Sequence, residues 1–194
     1  MPRPGFESVV LVTGFPSQMA RRMVREVLSR EPRARLSAVV LSKFAAQARA
    51  AVAALAPDQA ARVELLDGDA AAMDLGLSGA EYMRLAREVD RIHHVAYVSY
   101  PGVDARVAQA NVLAAAEIVE LGRTATNLRC LVFHSTAQVA GDRSGVVYES
   151  ELDAGQGFRN VVEETRMRAE SIARVAMARV PIAIVRPTAI VGDS

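Results

Sequence analysis

The chain reads as an α/β protein built on a doubly wound parallel sheet, a Rossmann fold. Three observations predict this. Short apolar runs of strand length alternate with amphipathic helical patterns along the sequence. The runs are almost continuously apolar, as strands covered on both faces are. The first run ends in a glycine turn that leads directly into a helix.

Val9–Val12 is the first strand. In Gln18–Arg30, Met19, Met23, Val24, Val27 and Leu28 share one helical face, and arginines take the other. Leu36–Leu41 is the second strand and the alanine-rich Phe44–Leu55 the second helix. Val63–Leu66, Ile92–Val95, Leu131–Phe133 and Ile182–Val185 are the remaining strands. Helices are expected over Glu81–Val89, Ala105–Leu121 and Glu163–Ala178, the last with Thr165, Ala169, Ile172, Ala173 and Ala176 near one stripe. No repeat, low-complexity tract or linker interrupts the order, and 194 residues suit a single domain over 1–194.

Composition narrows the function. Although 51% of residues are hydrophobic, no apolar run approaches the roughly 18–20 residues that span a bilayer, so no membrane partner is expected. The opening MPRPGFES lacks the apolar stretch of a secretory signal. A formal charge of +1 gives no case for nucleic acid. Arg21, Arg22, Arg25, Arg30, Arg33 and Arg35 cluster in and after the first helix, as a solvated face or as a docking surface for an acidic partner. Cys130, the only cysteine, lies in the apolar run Leu128–Phe133 and reads as a small buried hydrophobe; a reducing cytoplasm fits.

The glycine turn runs Gly14-Phe15-Pro16-Ser17-Gln18-Met19-Ala20. A dinucleotide fold wants glycine first for the tight turn, a second glycine where the pyrophosphate comes closest, and a third small residue for packing. Gly14 and Ala20 satisfy the first and third. Ser17 departs at the second, placing a Cβ near the phosphates, although its hydroxyl and the helix N-terminus still offer donors. Taken alone, the turn is equally a plain strand–turn–helix.

Further stretches carry a resemblance. Asp67-Gly68-Asp69, Leu75-Gly76-Leu77-Ser78 with Tyr82, and Val89-Asp90-Arg91-Ile92-His93-His94-Val95-Ala96 follow in order. Asn111-Val112, His134-Ser135-Thr136-Ala137-Gln138-Val139-Ala140-Gly141 and Arg186-Pro187 through Asp193-Ser194 complete the series. Together they resemble the extended short-chain dehydrogenase/reductase superfamily, most closely thioester reductase domains and fatty acyl-CoA reductases of the male-sterility type.

The resemblance implies cofactor binding by Gly14, Pro16, Ser17, Gln18, Met19, Lys43, Asp69, Val95, Ala96, Arg166 and Pro187. Asp69 would lie near the adenine, with Val95 and Ala96 backing the cofactor. Lys43, the chain's only lysine, stands just past the second strand, where this group places a basic residue for a 2′-phosphate; the alternative is an ordinary surface lysine. With no acidic residue at that strand end for a ribose 2′-OH, NADP is expected over NAD. Thr136 aligns with the residue that polarises the substrate carbonyl, and Asn111 with the one that supports a proton-relay water.

The resemblance breaks at the acid. The family reads N-x-Y-E-x-[ST]-K where this chain reads Asn160-Val-Val-Glu-Glu-Thr-Arg166, so Val162 stands at the tyrosine and Arg166 at the lysine. Valine exchanges no proton, and arginine holds its proton too tightly to relay one. Tyr148 precedes the loop into this helix and is a poor substitute. His93, His94 and His134 do not make a metal set, because adjacent strand residues point to opposite faces. The family's substrate-binding part continues beyond the "GDS" segment, so most of it is expected to be lacking here.

Three readings follow: a catalytically degenerate NADP(H)-binding domain acting in regulation or interaction, an active NADPH-dependent reductase of an acyl thioester or aldehyde, and an interaction domain without nucleotide. The superfamily also implies a homodimer through Ala105–Leu121 and Glu163–Ala178.

Overall fold

The computed structural model describes residues 6–100 and 102–188. In chain order it contains β1 (Ser8–Thr13), α1 (Gln18–Arg30), β2 (Ala34–Val40), α2 (Ala45–Ala53), α3 (Pro57–Ala60), β3 (Val63–Asp67), α4 (Gly79–Glu88) and β4 (Arg91–His94). Then come α5 (Ala105–Ala108), α6 (Ala110–Thr124), β5 (Cys130–His134), α7 (Val161–Ala176) and β6 (Ile182–Val185). The six strands form one parallel sheet in the order β3-β2-β1-β4-β5-β6. This is the Rossmann fold that the alternating pattern predicts.

Each face of the sheet has its own core. Val10 and Val12 of β1, with Leu36, Ala38 and Val40 of β2, pack under α1 and α2 through Ala20, Val24, Val27, Leu28 and Ala48. On the other face Leu11, Ile92, Leu131, Phe133 and Ile182 meet α4, α6 and α7 through Leu85, Ile118, Val119, Ala169 and Ala173. Successive strand side chains alternate between the two, as the pleat requires.

Caps set several helix limits. Ser17 caps α1, Ser78 and Glu81 form a reciprocal capping box that starts α4 at Gly79, and Asn160 accepts from the Val162 and Glu163 amides to start α7 at Val161. The helix expected over 105–121 is divided at Gln109, and α3 was not foreseen. Cys130 is half-buried rather than buried, because it opens β5 at the sheet's end. The last residues of the Arg186–Ser194 motif, 189–194, lie outside the described residues.

Candidate functional site

β1 and β4 are neighbours in the sheet, yet the chain leaves them toward opposite edges. The C-terminal ends of two such strands open a crevice, the usual ligand seat of an open α/β sheet. Gly14 lies in it with φ +80°, and a Cβ there would stand 2.7 Å from the Ala96 nitrogen and the Val95 carbonyl carbon. Glycine is therefore required by conformation and by space. Three residues past it, Ser17 Oγ accepts from the Ala20 amide at 3.3 Å, leaving its own proton to donate. The first turn of α1 contains no acid, so its amides present an uncompensated positive end.

Two clefts meet at Gly14 and Ser17. The smaller, about 360 Å³, is lined by Pro16, Val39, Leu41, Phe44, Asp69, Ala96 and Asn111 among others. Its floor unites two motifs distant in sequence. The Asp69 amide donates to Leu75 O at 2.9 Å, while a Cβ at Gly68 would come within 2.5 Å of that same oxygen. Asp69 also accepts from the Ala71 amide, fixing the turn. Lys43 does not line this cleft; its ammonium lies over the ring of Phe44, which does. No acid stands on the end of β2 itself, but one reaches it from the neighbouring strand. The sheet register sets Asp67 of β3 beside Val40, and Ser42 Oγ donates to the Asp67 carboxylate at 2.7 Å.

The larger cleft, about 640 Å³, is lined by Gln18, Met19, Val95, Thr136, Val162, Arg166 and Pro187, so the structure gathers most of the residues singled out in sequence. Thr136 Oγ1 accepts from the Gln138 amide at 3.2 Å. Arg166 is only 7% exposed. It donates to His134 O at 2.9 Å, and its guanidinium lies 3.9 Å from the centre of the Tyr97 ring. Burial draws this guanidinium down to about 10, against the opposing influence of Tyr97 and Glu170.

Tyr97 and Arg22 also line this cleft and were not singled out as site residues. Tyr97 borders both clefts, and its place just past β4 at the crevice is the signal that could have found it. Tyr148 is 65% exposed and lines neither cleft. The arginine cluster divides: Arg30 and Arg33 pair with Glu26 and Glu7, and Arg35 reaches Glu64 at 2.8 Å.

Buried polar groups hold the cleft walls. Thr13 Oγ1 accepts from the Val95 and Ala96 amides, both at 3.2 Å, and donates to His94 Nδ1 at 3.0 Å. His94 is kept neutral, lowered to about 3 by burial first and then by the charges of Arg166 and His134. Asn111 clasps the backbone of Val98, accepting from its amide at 2.7 Å and donating to its carbonyl at 3.2 Å, with a further bond to Thr165. It borders the smaller cleft rather than the one containing Thr136. Glu170 is fully buried and accepts from Ser135, Arg174 and Arg186. His93 and His134 approach at 3.4 Å on one face while His94 points to the other. Among the described residues no three His, Cys, Asp or Glu side chains converge on a point that a metal would fill.

Comparison with known proteins follows this geometry. A parallel sheet with a glycine turn at its switch point defines a nucleotide-binding class of fold. Residues 12–194 match the male sterility protein family of NAD-binding domains, and the chain belongs to it. Among solved structures it is similar to the terminal R domain from the myxalamid PKS-NRPS biosynthetic pathway, with 26% identity and a TM-score of 0.85 over 98% of this chain and 51% of that one. The reductase (R) domain of a nonribosomal peptide synthetase from Mycobacterium tuberculosis gives 24% identity and a TM-score of 0.75 over 100% of this chain and 50% of that one. UDP-glucuronic acid 4-epimerase from Bacillus cereus, solved with NAD, shares the fold at 17% identity and a TM-score of 0.70, over 93% of this chain and 56% of that one. The chain thus spans about half the length of these structures. No curated protein sequence matches it. No helix among the described residues is long and apolar enough to cross a membrane.

Proposed function

We propose that the chain is an NAD(P)(H)-binding domain of reductase type whose inherited proton donor has been lost. The observation that carries this reading is the meeting of two clefts at Gly14, where a side chain would collide with Ala96 and where α1 turns its acid-free N-terminus. These residues fit a dinucleotide. The α1 amides and Ser17 Oγ–H would hold its phosphates, the cleft at Asp69 and Phe44 its adenosine, and the cleft at Val95, Thr136 and Arg166 its nicotinamide end. A bound NAD(P)H would supply hydride. Thr136 would orient a carbonyl, but Val162, 6% exposed on the α7 face, has no proton to give the developing alkoxide. Nucleotide-dependent interaction or regulation is therefore favoured over turnover, in the cytoplasm and with a homodimer through α6 and α7 as the accompanying expectation.

Lys43 favours NADP(H), while Asp67 at the same edge, which accepts from Ser42, would resist a 2′-phosphate. The test is a titration with NADPH and NADH followed by fluorescence and melting temperature. Binding of both, tighter for NADPH and weakened by Lys43→Ala, is expected. No response at millimolar nucleotide would remove the reading. Oxidation of NADPH with acyl-CoA or aldehyde at rates typical of enzymes would remove the loss of chemistry.

A further inference from the structure

We propose that the Thr136–Val162–Arg166 end of the larger cleft is a binding site for an organic carboxylate with a short apolar stem. The inference deepens the nucleotide reading by naming a second ligand of the same crevice. It begins with a charge lacking a counter-ion. Arg166 is 93% buried by its 7% exposure, yet its contacts are a carbonyl, His134 O at 2.9 Å, and the face of Tyr97 at 3.9 Å. The carboxylate one turn further along α7, Glu170, is already paired with Arg174 at 2.8 Å and Arg186 at 2.7 Å. No Asp or Glu is among the described residues lining this cleft, and the second cation on its rim is Arg22. A buried ion is tolerated when a partner compensates it, and Arg166 is among the residues that line the cleft.

Geometry selects the class of anion. The Tyr97 ring and His134 O hold the guanidinium, and the planar fork of an arginine matches the two oxygens of a carboxylate. The cleft mixes the apolar side chains of Met19, Val95, Val98, Val162 and Pro187 with polar ones, Ser99, Thr136, Gln138 and Thr188 among them. The apolar members suit a hydrocarbon stem. Val162 sits four residues before Arg166 on the same helical face, so the methyls that displaced a phenol border the cation. Burial of the guanidinium, which draws it down to about 10, agrees with a site that gains when an anion arrives.

The experiment uses the full chain at constant ionic strength, with butyrate as probe and inorganic phosphate as the contrasting arm, each with and without NADP⁺. Melting temperature and ligand-observed NMR report binding. Butyrate is expected to bind more tightly than phosphate in the absence of NADP⁺, and NADP⁺ is expected to weaken it by sharing Arg166. Arg166→Met should weaken butyrate roughly 10- to 100-fold, the value of hydrogen bonds to a charged group. If that variant fails to fold, Val162→Glu tests the same point, because it places a carboxylate within reach of Arg166 and should abolish butyrate binding while the fold persists. Phosphate binding tighter than butyrate, no butyrate binding, or butyrate binding unchanged by both substitutions would overturn the proposal. The nucleotide reading fails separately, on absence of a response to NADP⁺ alone.

Discussion

Glu170→Gln is the substitution whose cost the structure defines most closely. The carboxylate has no exposure, and it accepts from Ser135 Oγ at 2.5 Å, Arg174 Nε at 2.8 Å and Arg186 Nη2 at 2.7 Å. Both arginines also donate to backbone carbonyls of 149–151, so this one side chain ties α7, the β5 and β6 ends and the preceding loop together. Glutamine keeps the shape but removes the charge and turns an N–H₂ toward arginine donors. Breaking a buried pair this way costs about 3–5 kcal/mol. For a chain of this size that is roughly 6–20 °C of melting temperature, at about 2–4 °C per kcal/mol. Urea denaturation followed by circular dichroism measures it.

The pH dependence checks the cause. Burial alone would raise the Glu170 carboxyl, but bonds from Arg186, Ser135 and Arg174 outweigh it and hold the group below its ordinary value. A lowered folded-state value means stability present above the unfolded carboxyl's titration and lost as pH falls through the folded one. The gap between wild type and Glu170→Gln should therefore narrow on acidification. A loss under about 1 kcal/mol at neutral pH, or a gap that stays constant into acid, would refute the reasoning.

Asn111→Ala should cost about 1–3 kcal/mol by leaving the Val98 amide and carbonyl unpaired, and should weaken nucleotide binding by loosening the wall that holds Tyr97. Val162→Tyr with Arg166→Lys should raise NADPH oxidation with an aldehyde by roughly 100- to 10,000-fold over wild type, the usual worth of a placed acid, read as loss of NADPH absorbance. His94, lowered to about 3 from an ordinary 6.5, takes up its proton in the unfolded chain first. Its neutral form contributes stability that is complete above the unfolded value and lost below it, about 2 kcal/mol by pH 5. His94→Gln should flatten the acid limb of urea-measured stability.

The fold was legible because its signals are local. Each strand is a short apolar run and α1 has one clean apolar face, so alternation alone specifies the sheet. The meeting of Gly14, Thr136, Val162 and Arg166 in one crevice followed from motif order, since every one lies at or just past a strand's C-terminal end or on the helix that packs there. What was not legible depends on register across distant segments. Asp67 reaches the β2 edge only because β3 pairs in parallel with β2. The Asn111 clasp on Val98 and the Thr13–His94 pair join residues of no common pattern, separated by 13 and 81 positions. Tyr97 escaped notice because a tyrosine past a strand has no sequence signature until the opposing arginine is in place.

These clasps also explain how the chemistry can change without loss of the scaffold. The loop after β4 is pinned by Thr13 and Asn111, and the loops after β5 and β6 by Glu170, through contacts in which the side chain at 162 plays no part. A valine at 162 in place of a tyrosine would remove a reactant and leave the walls standing. Position 166 is different, because arginine is not a neutral filler. A guanidinium drawn from an ordinary 12.5 to about 10 by burial carries its charge at neutral pH at a cost on the order of 3 kcal/mol, at about 1.4 kcal/mol per unit. Methionine or leucine would avoid it entirely. A fold stabilised by Glu170 tolerates the expense, but packing gives no reason to retain it. The carboxylate proposed for the cleft would supply that reason.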